Sequence, residues 1–245
     1  MTEANKAIQE EAAKTNEVAV KQEGAVATTA AGSNYISTIL EETKRGFVEA
    51  NAGLDLDYVR MGDWLKLNKK GNYVEKDDEE VSYGDSIDVV VGYGEQRYML
   101  WGKDGSAEKG ELIVAEPTEA EAREVLGQWL MENPEAAERY SQDDISLRYL
   151  AYVVPVSTLG QDDFPKIYLL SFAPGDTIGW GRYAMNVFKG KFKALGVPAK
   201  TGANKVVTRI TSEERENSDK ESYLGHKFEA VGLFNPADYG IKVEA

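Results

Sequence analysis

The sequence predicts a β-rich α+β fold, and three observations predict it. Ser86–Tyr93 and Arg97–Trp101 are runs of β-branched and aromatic residues joined through Gly92 and Gly94. Two further β-rich runs, Leu147–Val156 and Lys166–Ala173, precede a helical stretch and then two more strands, Lys205–Thr211 and His226–Leu233. A capped amphipathic helix over Thr118–Glu132 separates the two groups. Strand–strand–helix–strand–strand behind a strong strand pair is the element order of a five-stranded Greek-key barrel of the OB type, here with added hairpins and helices.

Taken in order, residues 1–32 are rich in Ala, Glu, Lys and Thr and nearly lack large apolar side chains, the composition of a disordered acidic tail. Residues 33–245 form one globular unit: 146–233 make the barrel half with a basic helix, and 34–145 read as an elaboration of it or a subdomain. A short helix over Thr38–Arg45 meets a stop signal at Gly46. Trp64–Leu67, the loop Asn68–Asn72 and Tyr73-Val74 read as a hairpin, followed by a solvated acidic loop at Asp77–Glu80. In the helix from Thr118, Glu121 completes a capping box, and Ala122, Val125, Leu126, Trp129 and Leu130 form its apolar stripe. Asn133-Pro134 end it, and Pro134 opens a second short helix toward Tyr140. Ile178–Leu195 reads as a helix with Gly196 in the terminating position, and Ser212–Ser222 has the composition of a mobile hairpin arm.

Composition excludes several function classes. The 245 residues include no cysteine, so no disulfide, thiol nucleophile or zinc-thiolate site is available. No window approaches the roughly 18 apolar residues that span a bilayer, and the N-terminal stretch lacks the apolar core of a secretory signal. The expected location is the cytoplasm, with no membrane partner. Catalysis is not expected. The single histidine, His226, has no nucleophile elbow near it, and no Walker A motif is present. Gly92-Tyr93-Gly94 and Gly179-Trp180-Gly181 match only part of a dinucleotide fingerprint. The acids Asp55/Asp57, Asp77–Glu80 and Asp162/Asp163 share no ligand spacing, so neither a cofactor nor a metal is expected.

Charge supplies the positive signal. The net charge is −14, yet residues 177–212 carry seven Lys/Arg and no Asp or Glu. Interleaved with the cations are Trp180, Tyr183, Phe188 and Phe192, a composition suited to a polyanion with flat bases. On a helix, Arg182, Lys189 and Lys193 fall within about 60° of one direction. Lys200, Lys205 and Arg209 extend the positive region through a loop and onto one face of the next strand. A second cluster, Arg97, Tyr98 and Trp101 with Arg148, Tyr149 and Tyr152, sets cations beside aromatics on predicted strands. The same residues also suit an amphipathic helix that buries its aromatics and a charged edge strand kept soluble by its cations.

The run KIYLLSFAPGDTIGWGRYAMNVF, the strand KVVTRIT, the polar ERENSDKES and the returning HKFEAVG resemble single-stranded-DNA-binding proteins of tailed bacteriophages, over about residues 86–233. The resemblance implies an OB barrel with a basic, aromatic-lined groove. It also implies single-stranded DNA as ligand, replication or recombination proteins as partners, and oligomers as a possible assembly. Many such proteins end in an acidic recruiting tail; this sequence closes with one acid in its last six residues, which shifts that role to its acidic N-terminal region. The residues leave two further readings open: a self-associating phage structural protein, and an adaptor that docks an acidic protein partner through residues 177–212.

Overall fold

The computed structural model describes residues 35–51, 62–103, 105–161, 165–216, 220 and 222–241. The predicted tail and the acid pairs Asp55/Asp57 and Asp162/Asp163 lie outside the described residues. The elements are α1 (Tyr35–Ala50), β1 (Asp63–Leu67), β2 (Tyr73–Glu75), β3 (Ser82–Gly84), β4 (Ser86–Trp101), β5 (Leu112–Glu116), α2 (Glu119–Glu132), β6 (Ser146–Pro155), β7 (Tyr168–Phe172), α3 (Pro174–Phe188), β8 (Val206–Glu216) and β9 (Ser222–Leu233). Short 3-10 turns fill several connections, one of them at Pro134–Glu138 where the second short helix is expected.

The fold is β-rich α+β. The strands join one mixed sheet in the order β3-β2-β1-β7-β6-β4-β8-β9, with β5 also on β4. Its spine is β4, which pairs with β8 over Ser86–Val89, with β6 over Val89–Met99 and with β5 over Tyr98–Trp101. The sequence suggests two strands here; the structure has one, with a bulge at Val91/Tyr93 that absorbs Gly92. β1 runs parallel to β7, and among the described residues β7 and β9 share no ladder.

Strand twist curls this sheet into a half-barrel. Tyr73 on β2 and His226 on β9, far apart in strand order, come together with ring centroids 5.7 Å apart and a 2.8 Å hydrogen bond between Tyr73 Oη and His226 Nδ1. The enclosed core takes Val89, Val91, Val153, Leu170, Phe172 and Ile210 from the sheet and Trp180, Tyr183 and Val187 from α3. Burying each such side chain contributes about 1.5–3 kcal/mol. Two smaller cores lie outside it. Ile36 and Leu40 of α1 cover Val90, Val154 and Val207, and Ala122 and Leu126 of α2 cover Leu100 and Val114.

Local signals account for most boundaries. Thr118 caps α2 as expected, with its Oγ1 accepting from the Glu121 amide at 3.3 Å. α1 runs straight through Gly46 to Ala50, because a glycine lowers helix stability by about 1 kcal/mol without ending a helix whose first turns are anchored. The polar excursion Ser212–Ser222 extends the β8–β9 ladder as far as Glu216↔Ser222, with Lys220 at a left-handed φ of 62° between the strands. Lys205 ends a 3-10 turn just before β8 and so is not on the strand that carries Arg209; along β8, Val206 and Thr208 enter the enclosed core and Val207 the core under α1.

The basic helix is shorter than predicted and starts earlier. Pro174 opens it at a favoured first-turn position. Gly190, at φ 72°, ends it in a Schellman motif in which the Lys191 amide donates to Asn186 O and the Gly190 amide to Val187 O. Gly196, the expected terminator, caps a separate 3-10 turn at Lys193–Leu195. Gly190→Ala is expected to cost about 2 kcal/mol, since its φ is left-handed and its Cβ would meet Ala199 at 2.8 Å. Urea unfolding of the variant checks this; a loss below about 0.5 kcal/mol would contradict the motif.

Candidate functional site

The curl leaves a groove of about 600 Å³ between the β1–β2 hairpin and the start of β9. Its wall carries two tryptophans, Trp64 of β1 and Trp101 at the end of β4, packed edge to face at 5.0 Å. Three cations also line it: Lys66, Lys76 and Arg148. Lys76 Nζ sits 5.2 Å from the Trp101 ring centroid, a cation–π geometry that leaves the ammonium available to a ligand. Lys66 pairs with Glu79 at 2.7 Å on the open rim and holds that carboxyl below its usual range. The floor is Leu65, Leu170 and Ser171, and Leu224 and His226 close the β9 side.

Arg148 is a half-buried cation of this groove, which the more deeply buried Asp176 also lines. Its Nε donates to Ser146 Oγ at 3.2 Å, and among the described residues it forms no salt bridge. Burial lowers its pKa, opposed by the charge of Asp176, and it stays cationic at neutral pH. Arg97 faces it across the β4–β6 register and is paired with Glu95 at 2.7 Å. The arrangement leaves one of two adjacent guanidiniums for an anionic ligand.

The β9 wall is clamped by a buried ion pair. Asp176, in the first turn of α3 and 3% exposed, accepts from Arg215 Nη1 at 2.8 Å and from the His226 amide at 2.9 Å. Arg215 Nη2 donates to the His226 carbonyl at 2.7 Å. The two side chains thereby satisfy the backbone of β9 at an edge without a neighbouring strand. Gly225 makes room for them: a Cβ there would lie 2.9 Å from Arg215 Nη1 and 3.0 Å from Asp176 Oδ1.

His226 is held neutral by this setting. Burial pushes its pKa down to about 4, against an ordinary 6.5, although Asp176 favours the charged form. The unfolded chain therefore takes up a proton first on acidification. The contribution of the neutral ring is complete above pH 6.5 and drains away toward pH 4. Thermal melts are expected to show Tm falling through that interval, and His226→Gln to remove the upper part of the slope, where carboxylates have not begun to titrate. Parallel profiles for the two proteins would contradict this role.

Of the residues singled out in the sequence, Trp101 and Arg148 line the groove and Arg97 adjoins it. Trp180 is 8% exposed and ringed by Tyr149, Phe172, Tyr183 and Phe228, so it holds the core and offers little surface to a base. Tyr149 stacks on Phe172 within the same core, and Tyr98 packs against the α2 cluster. Tyr152 contacts Tyr93 beside a separate pocket under α1. Arg209 is engaged bidentately by Asp88 at 2.7 and 2.8 Å, which cancels its charge. Arg182, Lys189, Lys193 and Lys200 are exposed, and Lys205 is half-buried. The segment of α3 from Asp176, at the groove, to Phe188, among these cations, spans about 18 Å.

Sequence reasoning missed Trp64, Lys66 and Lys76 as site residues. The signal was present in the hairpin itself, where Trp64 and Lys66 alternate with buried Leu65 and so share the opposite face. Among the described residues no cluster of acidic and imidazole groups could hold a metal, and no helix is long and apolar enough to cross a membrane. No protein-family model, curated protein or solved structure matches the chain.

Proposed function

We propose that the chain binds single-stranded DNA without catalysis and largely without reading sequence, using the Trp64/Trp101 groove. The observation that carries this reading is the convergence of two half-exposed tryptophans with Lys66, Lys76 and Arg148 in one open cleft. Aromatic faces stack any base, and cations beside them neutralise the connecting phosphates.

We also read the half-barrel as an OB-type barrel opened at one seam. β4, β6 and β7 form an antiparallel meander, α3 crosses over, and the β8–β9 hairpin returns to the other edge of β4. That order matches the OB order, with β1 laid in parallel on the edge of β7 where an OB barrel would close on β9. OB barrels bind oligonucleotides on the face of their second and third strands, between the loops after the first and the fourth. Here those strands are β6 and β7, and the loops follow β4 and β8. Arg148, Leu170 and Ser171 belong to the two strands, and Trp101, Gly110 and Leu224 lie at or beside the two loops. The resemblance to phage proteins adds a context of DNA replication or recombination.

The test is fluorescence anisotropy of a labelled oligothymidine at several salt concentrations, with duplex DNA as competitor. The expected result is binding that weakens with salt and resists the duplex. Absence of binding at low salt would end this reading.

A further inference from the structure

A surface helix ordinarily shows solvent a polar face, and α3 shows one in which large apolar side chains stand among the cations. Asp176, Trp180, Tyr183 and Val187 are buried on its inner side. On the outer side Ile178 is 58% exposed, Met185 50% and Phe188 53%. At 100° per residue, Ile178, Arg182, Met185 and Lys189 fall within about 60° of one direction, with Phe188 at the border of the stripe. The outer face is therefore apolar along its middle and cationic along its flank. Among the described residues no carboxylate pairs with Arg182, Lys189, Lys193 or Lys200.

We propose that this face docks an acidic amphipathic helix of a partner protein. The apolar stripe would take the partner's hydrophobic positions at helical spacing, and the surrounding cations would select Asp and Glu beside them. Charge complementarity argues for this occupant, because Arg182, Lys189, Lys193 and Lys200 are exposed cations without a carboxylate partner among the described residues, in a chain of net charge −14. Nucleic acid fits this face less well. Ile178 and Met185 offer no ring on which a base could stack, Trp180 and Tyr183 point inward, and Phe188 at the border of the stripe is a lone exposed ring, too little for successive bases. An anionic bilayer fits less well too. A surface that extends past the patch comes within a Debye length, about 10 Å, of the acids around it, whereas a short helix covers the patch alone.

The experiment titrates a labelled synthetic peptide of about 16 residues, four helical turns, into the full chain. The peptide carries Leu and Phe on one face and Glu on the other. A scrambled peptide of equal composition, oligothymidine and anionic phosphatidylserine vesicles serve as comparison ligands. Binding by the amphipathic peptide that weakens with salt is expected. Met185→Asp, the milder Met185→Ala and the pair Arg182→Glu/Lys189→Glu should weaken it, the charge variants by about tenfold or more. All of these positions are exposed, so Tm should not move, and Trp101→Ala should leave the peptide affinity unchanged. Absence of peptide binding, equal binding of the scrambled peptide, or indifference to the substitutions would overturn the proposal. So would the finding that Met185→Asp abolishes self-association in sedimentation, or vesicle or oligothymidine binding, while sparing the peptide.

Discussion

Asp176→Ala is expected to lower folding stability by about 3–5 kcal/mol, the usual cost of removing one partner from a buried ion pair. The carboxylate is 4% exposed at the side chain and joins three elements: the first turn of α3, Arg215 on β8 and the backbone of His226 on β9. Its loss leaves the Arg215 guanidinium with Glu213, half-exposed at 3.0 Å, in place of a buried partner, and the His226 amide without an acceptor. Both penalties fall at the seam where β9 has no strand neighbour, so the edge should open before the rest of the sheet. Asp176→Asn keeps an acceptor for the amide but not the charge, and its cost should lie between those of Ala and wild type. Urea unfolding measures the effect. Hydrogen exchange at His226 and Phe228 reports whether the edge is what loosens. A loss under about 1 kcal/mol would mean that the pair is dispensable and that the β8–β9 ladder with the Tyr73–His226 contact holds this edge without it.

Asp176 also shows what the sequence did not disclose. Secondary structure was readable where the cause is local: the Thr118 cap, the β-rich run containing Tyr168–Phe172 and the apolar run of Val89–Val91 each predict the element that forms. The β-rich α+β class follows from those elements. What failed was the choice between two local signals. Gly190 and Gly196 both suit a helix end, and only the packing of Ala199 against Gly190 selects the first. That choice took Lys193 off the face computed for it. Pairings distant in sequence were hidden altogether. Nothing in Asp88 marks it as the partner of Arg209, 121 positions away, and nothing in Tyr73 points to His226. The candidate site was half legible for the same reason. Trp101 and Arg148 stood out as a cation beside an aromatic, whereas Trp64 and Lys76 acquire their roles only when the β1–β2 hairpin folds over the end of β4.

Trp101→Ala should reduce oligothymidine affinity by about 10–100-fold, the measured range for removing one base-stacking aromatic. The ring meets Trp64 edge to face and has the Lys76 ammonium 5.2 Å from its centroid, so a base entering the groove would meet an aromatic pair already polarised by a cation. Trp64→Ala should act in the same direction. The double variant should lose less than the sum, since each ring positions the other through their edge-to-face contact. Arg148 tests the electrostatic half. Its replacement by Met should remove one phosphate contact and flatten the salt dependence by about 0.7 in the slope of log K against log salt. Tryptophan fluorescence gives a second readout, because Trp180 is core and Trp129 belongs to the α2 cluster, which leaves Trp64 and Trp101 as the pair open to quenching by bound bases. The contrast that decides the location is Arg182→Glu/Lys189→Glu. Those cations lie on the outer face of α3, Arg182 midway along it and Lys189 at its C-terminal end, and oligothymidine affinity should tolerate their reversal to within about threefold. If the charge reversal abolishes binding and Trp101→Ala does not, DNA runs along the basic helix and the groove is not its site.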